Sequence, residues 1–172
     1  MNQKNIPANK QSEFSKFAVF KIGMEDFGIE INRVVEILST HKVYSIPELP
    51  DFLTGVISVR GEIIPLIDLK KRFGIESSSK KELIILIKME NEKIGILVDS
   101  VKEITTLKTS DITSPPSIFK GLRKKYLAGI GKKDDRIIII LNIDELLTSE
   151  EKIALKETEE VIEENAGTGK TA

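Results

Sequence analysis

The 172-residue sequence has no cysteine, no tryptophan and a single histidine. Without cysteine there is no disulfide framework and no thiolate to serve as ligand or nucleophile. Without a second histidine, His41 in "STHKVYS" makes a poor metal site and reads as a surface residue at a strand end. Aromatic residues make up 5%, two of them tyrosines, too thin a supply for the stacking groove that single-stranded nucleic acid uses. The formal net charge of -1 argues against broad nucleic-acid binding. No uninterrupted apolar stretch approaches the roughly 18 residues of a membrane span, and "MNQKNIPANKQSEFSK" lacks a signal-peptide core. The expectation is a cytoplasmic protein with no nucleic-acid partner and no direct membrane insertion.

Catalytic and cofactor motifs are equally scarce. "GTGKT" near the end imitates a phosphate-binding loop, but the first glycine of that loop falls on Glu164, where a carboxylate repels phosphate. No G-x-S-x-G elbow appears. Carboxylate pairs such as Asp51 with Asp68, or Glu36 with Glu62, are open to acid–base work only if burial separates their pKa values. The reading is no enzyme, no cofactor and no metal.

What the chain does contain is repetition. "MEDFGIEINRVVEI" (24–37) and "NEKIGILVDSVKEI" (91–104) align without gaps at an offset of 67, with six of fourteen positions identical. "LTGVISVRGEIIPLIDL" (53–69) lies over "LAGIGKKDDRIIIILNI" (127–143) at an offset of 74. Two agreements in the same order indicate a duplicated unit. Each copy offers about five short strands separated by polar turns, and Pro47, Pro50, Pro115 and Pro116 limit regular structure in the linking stretches. Five strands with few helices are best closed into a small barrel, which removes exposed edges. The runs "IILI" and "IIIIL" leave no polar face for water, so the strands are covered on both sides and the barrels pack through an apolar seam. Pro65 cannot donate to a ladder and is expected at an edge or a bulge.

The sequence predicts an all-β fold with short helices: a flexible stretch at 1–13, one barrel over 14–73, a second over 80–141 and a short helix at 142–148. An acidic helix follows at 150–164, with Thr148 or Ser149 as cap, and a disordered tail at 165–172. Residues 150–164 hold seven Glu against two Lys.

Arg60 stands at a strand end in "GVISVRG", before a glycine suited to a sharp turn. Its guanidinium offers five donors in a fixed fork. Were Glu36 on a neighbouring strand, the two would pair bidentately and order a surface for docking. A plain surface salt bridge explains the same residues as well.

"FGIEINRVVEI", "IPELPDFLTGVISVRGEIIPLIDLKKRFG" and "YLAGIGKKDDRIIIILNIDELL" resemble the CheW family of chemotaxis coupling proteins, in consistent order over about 14–150. The chain departs at Ser58 and Val59, where the family commonly has Asn-Leu. The resemblance implies two SH3-like five-stranded barrels around a hydrophobic centre. It implies a non-catalytic adaptor linking methyl-accepting chemoreceptor tips to the regulatory domain of the histidine kinase CheA, associated with membrane receptor arrays through those partners. It places receptor contacts at Val34, Glu36 and Arg60, and kinase contacts at Leu53, Thr54, Gly55 and Val56. Alternatives are an adaptor of another chemosensory-like pathway, or a small-ligand-binding or enzymatic paired-barrel protein.

Overall fold

The computed structural model describes residues 13–39, 41–76, 82–115 and 124–168. Its first hairpin joins β1 (Phe14–Ile22) to β2 (Glu25–Glu30), and one 3-10 turn at Ile31–Arg33 leads into β3 (Val34–Leu38). A second hairpin, β4 (Gly55–Val59) and β5 (Glu62–Asp68), runs into the short helix α1 (Leu69–Phe73). Asp68 caps that helix by accepting the Lys70 N–H at 2.9 Å, and Gly74 ends it at φ 65. Then come β6 (Leu83–Met89), β7 (Glu92–Val98), β8 (Ser100–Lys108), the two-residue β9 (Ile112–Thr113), β10 (Leu127–Lys133) and β11 (Arg136–Leu141). A 3-10 turn at Ile143–Glu145 and α2 (Ser149–Thr168) follow.

The strands form two sheets, ordered β8-β1-β2-β11-β10-β9 and β3-β6-β7-β5-β4. Each curls into an SH3-like barrel, and the two orders superimpose term by term. β8 corresponds to β3, β1 to β6, β2 to β7, β11 to β5 and β10 to β4. The isolated Tyr44–Val56 bridge stands where β9 stands in the other sheet. The duplication is thus real in three dimensions, but the barrels are not the sequence halves 14–73 and 80–141. The hairpin β1–β2 belongs with β8–β11, and β6–β7 belongs with β3–β5. The exchange shows in the parallel pairs: β2 lies beside β11 and β7 beside β5. Both exchanged hairpins are apolar on both faces, so their sequence suits either barrel equally.

Period-two alternation explains the continuous apolar runs. On β6, Ile84 and Leu86 fill one barrel with Leu38, Ile57, Val59, Ile64, Leu66 and Leu97. Ile85, Ile87 and Met89 point the other way, into the seam. On β1, Phe17 and Val19 fill the opposite barrel with Leu107, Ile138 and Ile140, while Phe20 and Ile22 enter the seam. The seam is the largest core, and Phe20, Phe27, Phe73 and Tyr126 run through it as a chain of ring contacts 5.4–5.9 Å apart.

Pro65 lies in neither an edge strand nor a bulge. Its partner Val56 exchanges both backbone hydrogen bonds with Tyr44, so Val56 and Pro65 face each other without bonding. On its other side β5 pairs with β7 only from Leu66 onward, and the missing N–H is never needed.

Two charged latches sit where the chain crosses between barrels. After β2, Arg33 makes a bidentate pair with Asp144 (3.1 and 2.7 Å) and donates to the Lys88 carbonyl. After β7, buried Asp99 accepts the Gly23 N–H at 2.7 Å and lies 3.2 Å from Lys70 Nζ.

The expected helix at 142–148 is only the turn at Ile143–Glu145, because Leu146 and Leu147 turn into the seam. The following helix is longer than 150–164, its backbone continuing through 168 into the expected tail. Thr148 is its cap: Thr148 Oγ1 accepts the Glu151 N–H, and the Glu151 carboxylate accepts the Thr148 N–H. Arg72 grips Glu151 bidentately, Lys152 pairs with Glu90 and Leu155 is buried, so the first turns of α2 dock on the barrels. The expectations for 1–12, 116–119 and 169–172 lie outside the described residues.

Candidate docking site at a barrel edge

β3 and β4 are the two edges of the five-stranded sheet. Arg60 and Gly61 form the tight turn after β4, both at positive φ (49 and 82), the arrangement that matches the twist of a two-residue hairpin. That turn aims the guanidinium across the open side of the barrel at β3. Arg60 Nη1 and Nη2 donate to the two Glu36 oxygens at 3.2 and 2.6 Å. The pair expected from sequence therefore forms, but it bridges two edges rather than hydrogen-bonded neighbours. The Arg60 hydrogen bond holds the Glu36 carboxyl below its ordinary pKa, against a smaller opposing effect of burial. Arg60 remains 72% exposed and Glu36 32%. A pair this open adds little to stability and keeps its charge available to a partner.

A bulge in β3 sets what surrounds the pair. Val34 faces Ile87 and Glu36 faces Leu86, leaving Val35 without a partner. Val34 consequently packs, half-buried, against the seam core, whereas Glu36 turns to the barrel side. Val35 and Ile37 stand 45% exposed beside them, joined by exposed Val43 and Tyr44 along the far edge. Val34 and Glu36 thus lie on one edge strand, Arg60 reaches Glu36 from the turn after the other edge strand, and β3 also exposes Val35 and Ile37. Sequence reasoning missed the exposure of Val35 and Ile37, whose signal was "VVEI" on a strand that has no neighbour beyond it.

The other four expected contact residues behave differently. Leu53 belongs to the seam core, Val56 is 2% exposed, and Gly55 is buried. A Cβ at Gly55 would come within 2.7 Å of both the Tyr44 carbonyl oxygen and Val43 Cγ1, so glycine is what lets the 43–44 segment lie on β4. Thr54 alone is half-buried, at the rim of an open cleft of about 830 Å³ that Phe52, Lys71, Arg72, Tyr126 and Glu151 also line. Seven residues of extended chain separate Leu53 from Arg60, roughly 23 Å, so these two residues flank opposite ends of β4.

Among the described residues no group of three or more His, Cys, Asp or Glu could hold a metal. No described helix is long and apolar enough to cross a membrane. What the arrangement can do is bind: apolar area for desolvation, a charge pair for orientation, and a second surface at the far end of β4.

A family model described as the CheW-like domain matches residues 16–151. The chain belongs to the CheW-like domain family. It is 36% identical over 138 residues to the chemotaxis protein CheW of Klebsiella aerogenes, spanning 79% of this chain and 83% of that protein. The chemotaxis protein CheW of Thermotoga maritima is 30% identical over 141 residues, with 80% and 89% covered. The crystal structure of the scaffolding protein TtCheW from Thermoanaerobacter tengcongensis matches with a TM-score of 0.72 at 37% identity, covering 77% of this chain and 91% of that one. This CheW-like chain is a chemotaxis adaptor of the scaffold type.

Proposed function

We propose that the chain joins methyl-accepting chemoreceptor tips to the regulatory domain of the histidine kinase CheA, without catalysing a reaction. It acts in the cytoplasm, held at membrane receptor arrays by its partners, and it neither inserts into the bilayer nor binds nucleic acid. The observation that carries this reading is the exposed, preorganised Glu36–Arg60 pair on an edge strand that also exposes Val35 and Ile37. Arginine is enriched among the few residues that dominate binding at interfaces. Val34, Val35 and Ile37 lose water on contact, and the charge pair fixes orientation. The kinase domain meets the surface framed by Leu53, Thr54, Gly55 and Val56, where the buried three hold the backbone in place and Thr54 reaches the partner. Separate surfaces let both partners bind at once. Each contact is modest, and clustering in an array multiplies them. A receptor change then biases a shared equilibrium of receptor, adaptor and kinase.

Titration with a receptor cytoplasmic fragment tests the reading. Arg60→Glu, which sets two carboxylates face to face, is expected to weaken binding about tenfold or more with an unchanged melting temperature. The exchange Glu36→Arg with Arg60→Glu restores the pair and recovers part of the loss. Equal affinities for wild type and Arg60→Glu would overturn the assignment.

A further inference from the structure

The register of β8 on β1 is regular from Phe14 to Val19, with Lys16 opposite Thr106 and Ala18 opposite Ile104. Period-two alternation divides β8: Thr105 and Leu107 are buried, while Ile104, Thr106 and Lys108 share the outer face with Lys16 of β1. Ile104 is 63% exposed, and both lysines are exposed beside it. Lys102, further along β8, is held by Asp26 at 3.2 Å. Among the described residues neither Lys16 nor Lys108 belongs to an ion pair. The face therefore offers one isoleucine and two uncommitted cations.

The acidic helix α2 carries the complementary pattern. Its inner side is committed to the body: Glu151 to Arg72, Lys152 to Glu90, and Leu155 to the core. Its outer side presents Glu150, Ile153, Glu157 and Glu160, all exposed, Ile153 at 60%. At about 3.6 residues per turn these four fall within about 80° of one another, so they form one stripe. The spacings also agree. Glu157 and Glu160 lie about 6 and 10 Å beyond Ile153 along the helix. Lys16 and Lys108 lie about 7 and 14 Å beyond Ile104 along the strands. Long lysine stems span the difference. Within one chain the two faces do not meet, since Ile104 and Ile153 are both left exposed.

We infer that the outer face of β1–β8 binds the acidic stripe of α2 from a second copy of this chain. Ile153 of one copy covers Ile104 of the other, and Glu157 and Glu160 pair with Lys16 and Lys108. None of these residues belongs to the set at Val34, Glu36 and Arg60. The contact joins unlike faces, so it either closes reciprocally as a pair or repeats head to tail. One helical stripe on two strands is small for an interface, so the link is weak in free solution and gains strength where copies are clustered.

Sedimentation of the full chain over a concentration series is the test. Wild type should self-associate, and the association should fade as salt rises. Lys16→Glu with Lys108→Glu should weaken it about tenfold or more, and so should Glu157→Lys with Glu160→Lys. All four positions are exposed, so the melting temperature should not change. Mixing the two double variants should restore association, because the acidic sheet face of one meets the basic stripe of the other. If a charge variant melts early, Ile104→Ser and Ile153→Ser carry the same comparison with every charge in place. Wild type that stays monomeric at all concentrations would overturn the inference. So would double variants that associate as wild type does, or that fail to associate when mixed. Loss of binding to a receptor fragment or to the CheA regulatory domain by the lysine variant, with wild type monomeric, would give the face to that partner instead.

Discussion

Asp99 offers the sharpest test of how the two barrels are held together. It sits at the crossing from β7 to β8, almost fully buried, with one carboxylate oxygen on the Gly23 N–H at 2.7 Å and the other 3.2 Å from Lys70 Nζ. Gly23 ends the first strand of the opposite barrel, at φ 61. Replacing Asp99 with alanine strands a backbone donor, which costs about 1–3 kcal/mol. It also leaves the Lys70 ammonium with Glu82 alone, at 3.4 Å on the exposed side. Breaking a fully buried pair costs about 3–5 kcal/mol, and the surviving Glu82 contact lowers that share. The expected loss is about 2–4 kcal/mol in urea unfolding with an unchanged slope. For a chain of this length that lowers the melting temperature by about 5–15 °C. Asp99→Asn keeps an oxygen for Gly23 but no charge for Lys70, and should cost about half as much. Burial opposes the charge on Lys70, but Asp99 and Glu82 outweigh it and raise its pKa above 10.5. Its contribution is therefore complete below 10.5 and fades as pH rises through the higher folded value. A loss under about 1 kcal/mol for Asp99→Ala would refute the latch, since that is the scale of an ordinary surface substitution.

Glu151 carries the acid-side counterpart. Burial works against its ionisation, but the hydrogen bonds from Arg72 and from the Thr148 N–H outweigh it and hold the carboxyl below 4.5. Its stabilisation is full above 4.5 and disappears as pH falls through the lower folded value, so the stability gap between wild type and Glu151→Gln should close on acidification. Urea melts at neutral and acid pH measure the gap, and one that widens in acid contradicts the assignment. Gly55→Ala drives a Cβ into the Tyr44 carbonyl and should cost about 1–3 kcal/mol. Amide exchange should quicken at Tyr44 and Val56, the two residues joined by the bridge. Unchanged protection there would mean the close approach is not what glycine secures.

Much of this architecture was legible beforehand because its causes are local. Runs such as "IILI" and "IIIIL" have no polar face, and only burial on both sides accommodates them. The repeat at an offset of 67 announced two copies of one unit. It did not announce that Phe17 and Val19 would fill the barrel of the other copy, because a hairpin apolar on both faces carries no mark of ownership. Arg60 and Glu36 were readable as a pair from strand-end position and chemistry. Ile37 and Ile104 were not readable as surface, since an isoleucine in a strand looks the same whether or not another strand lies beyond it. Leu53, Gly55 and Val56 attracted attention through their motif, yet the 43–44 segment and the seam cover them. Pro65 was expected at an edge because the register that spares its missing N–H depends on Tyr44, twenty-one residues away in sequence.

The central claim is simultaneous occupancy of two surfaces on one chain. Sedimentation of the full chain with a receptor cytoplasmic fragment and the regulatory domain of CheA reads it directly. The account predicts one species containing all three components, lost with Arg60→Glu for the receptor alone while the pair with the kinase domain persists. Mutual exclusion of the two partners, or a chain that binds neither, would contradict it.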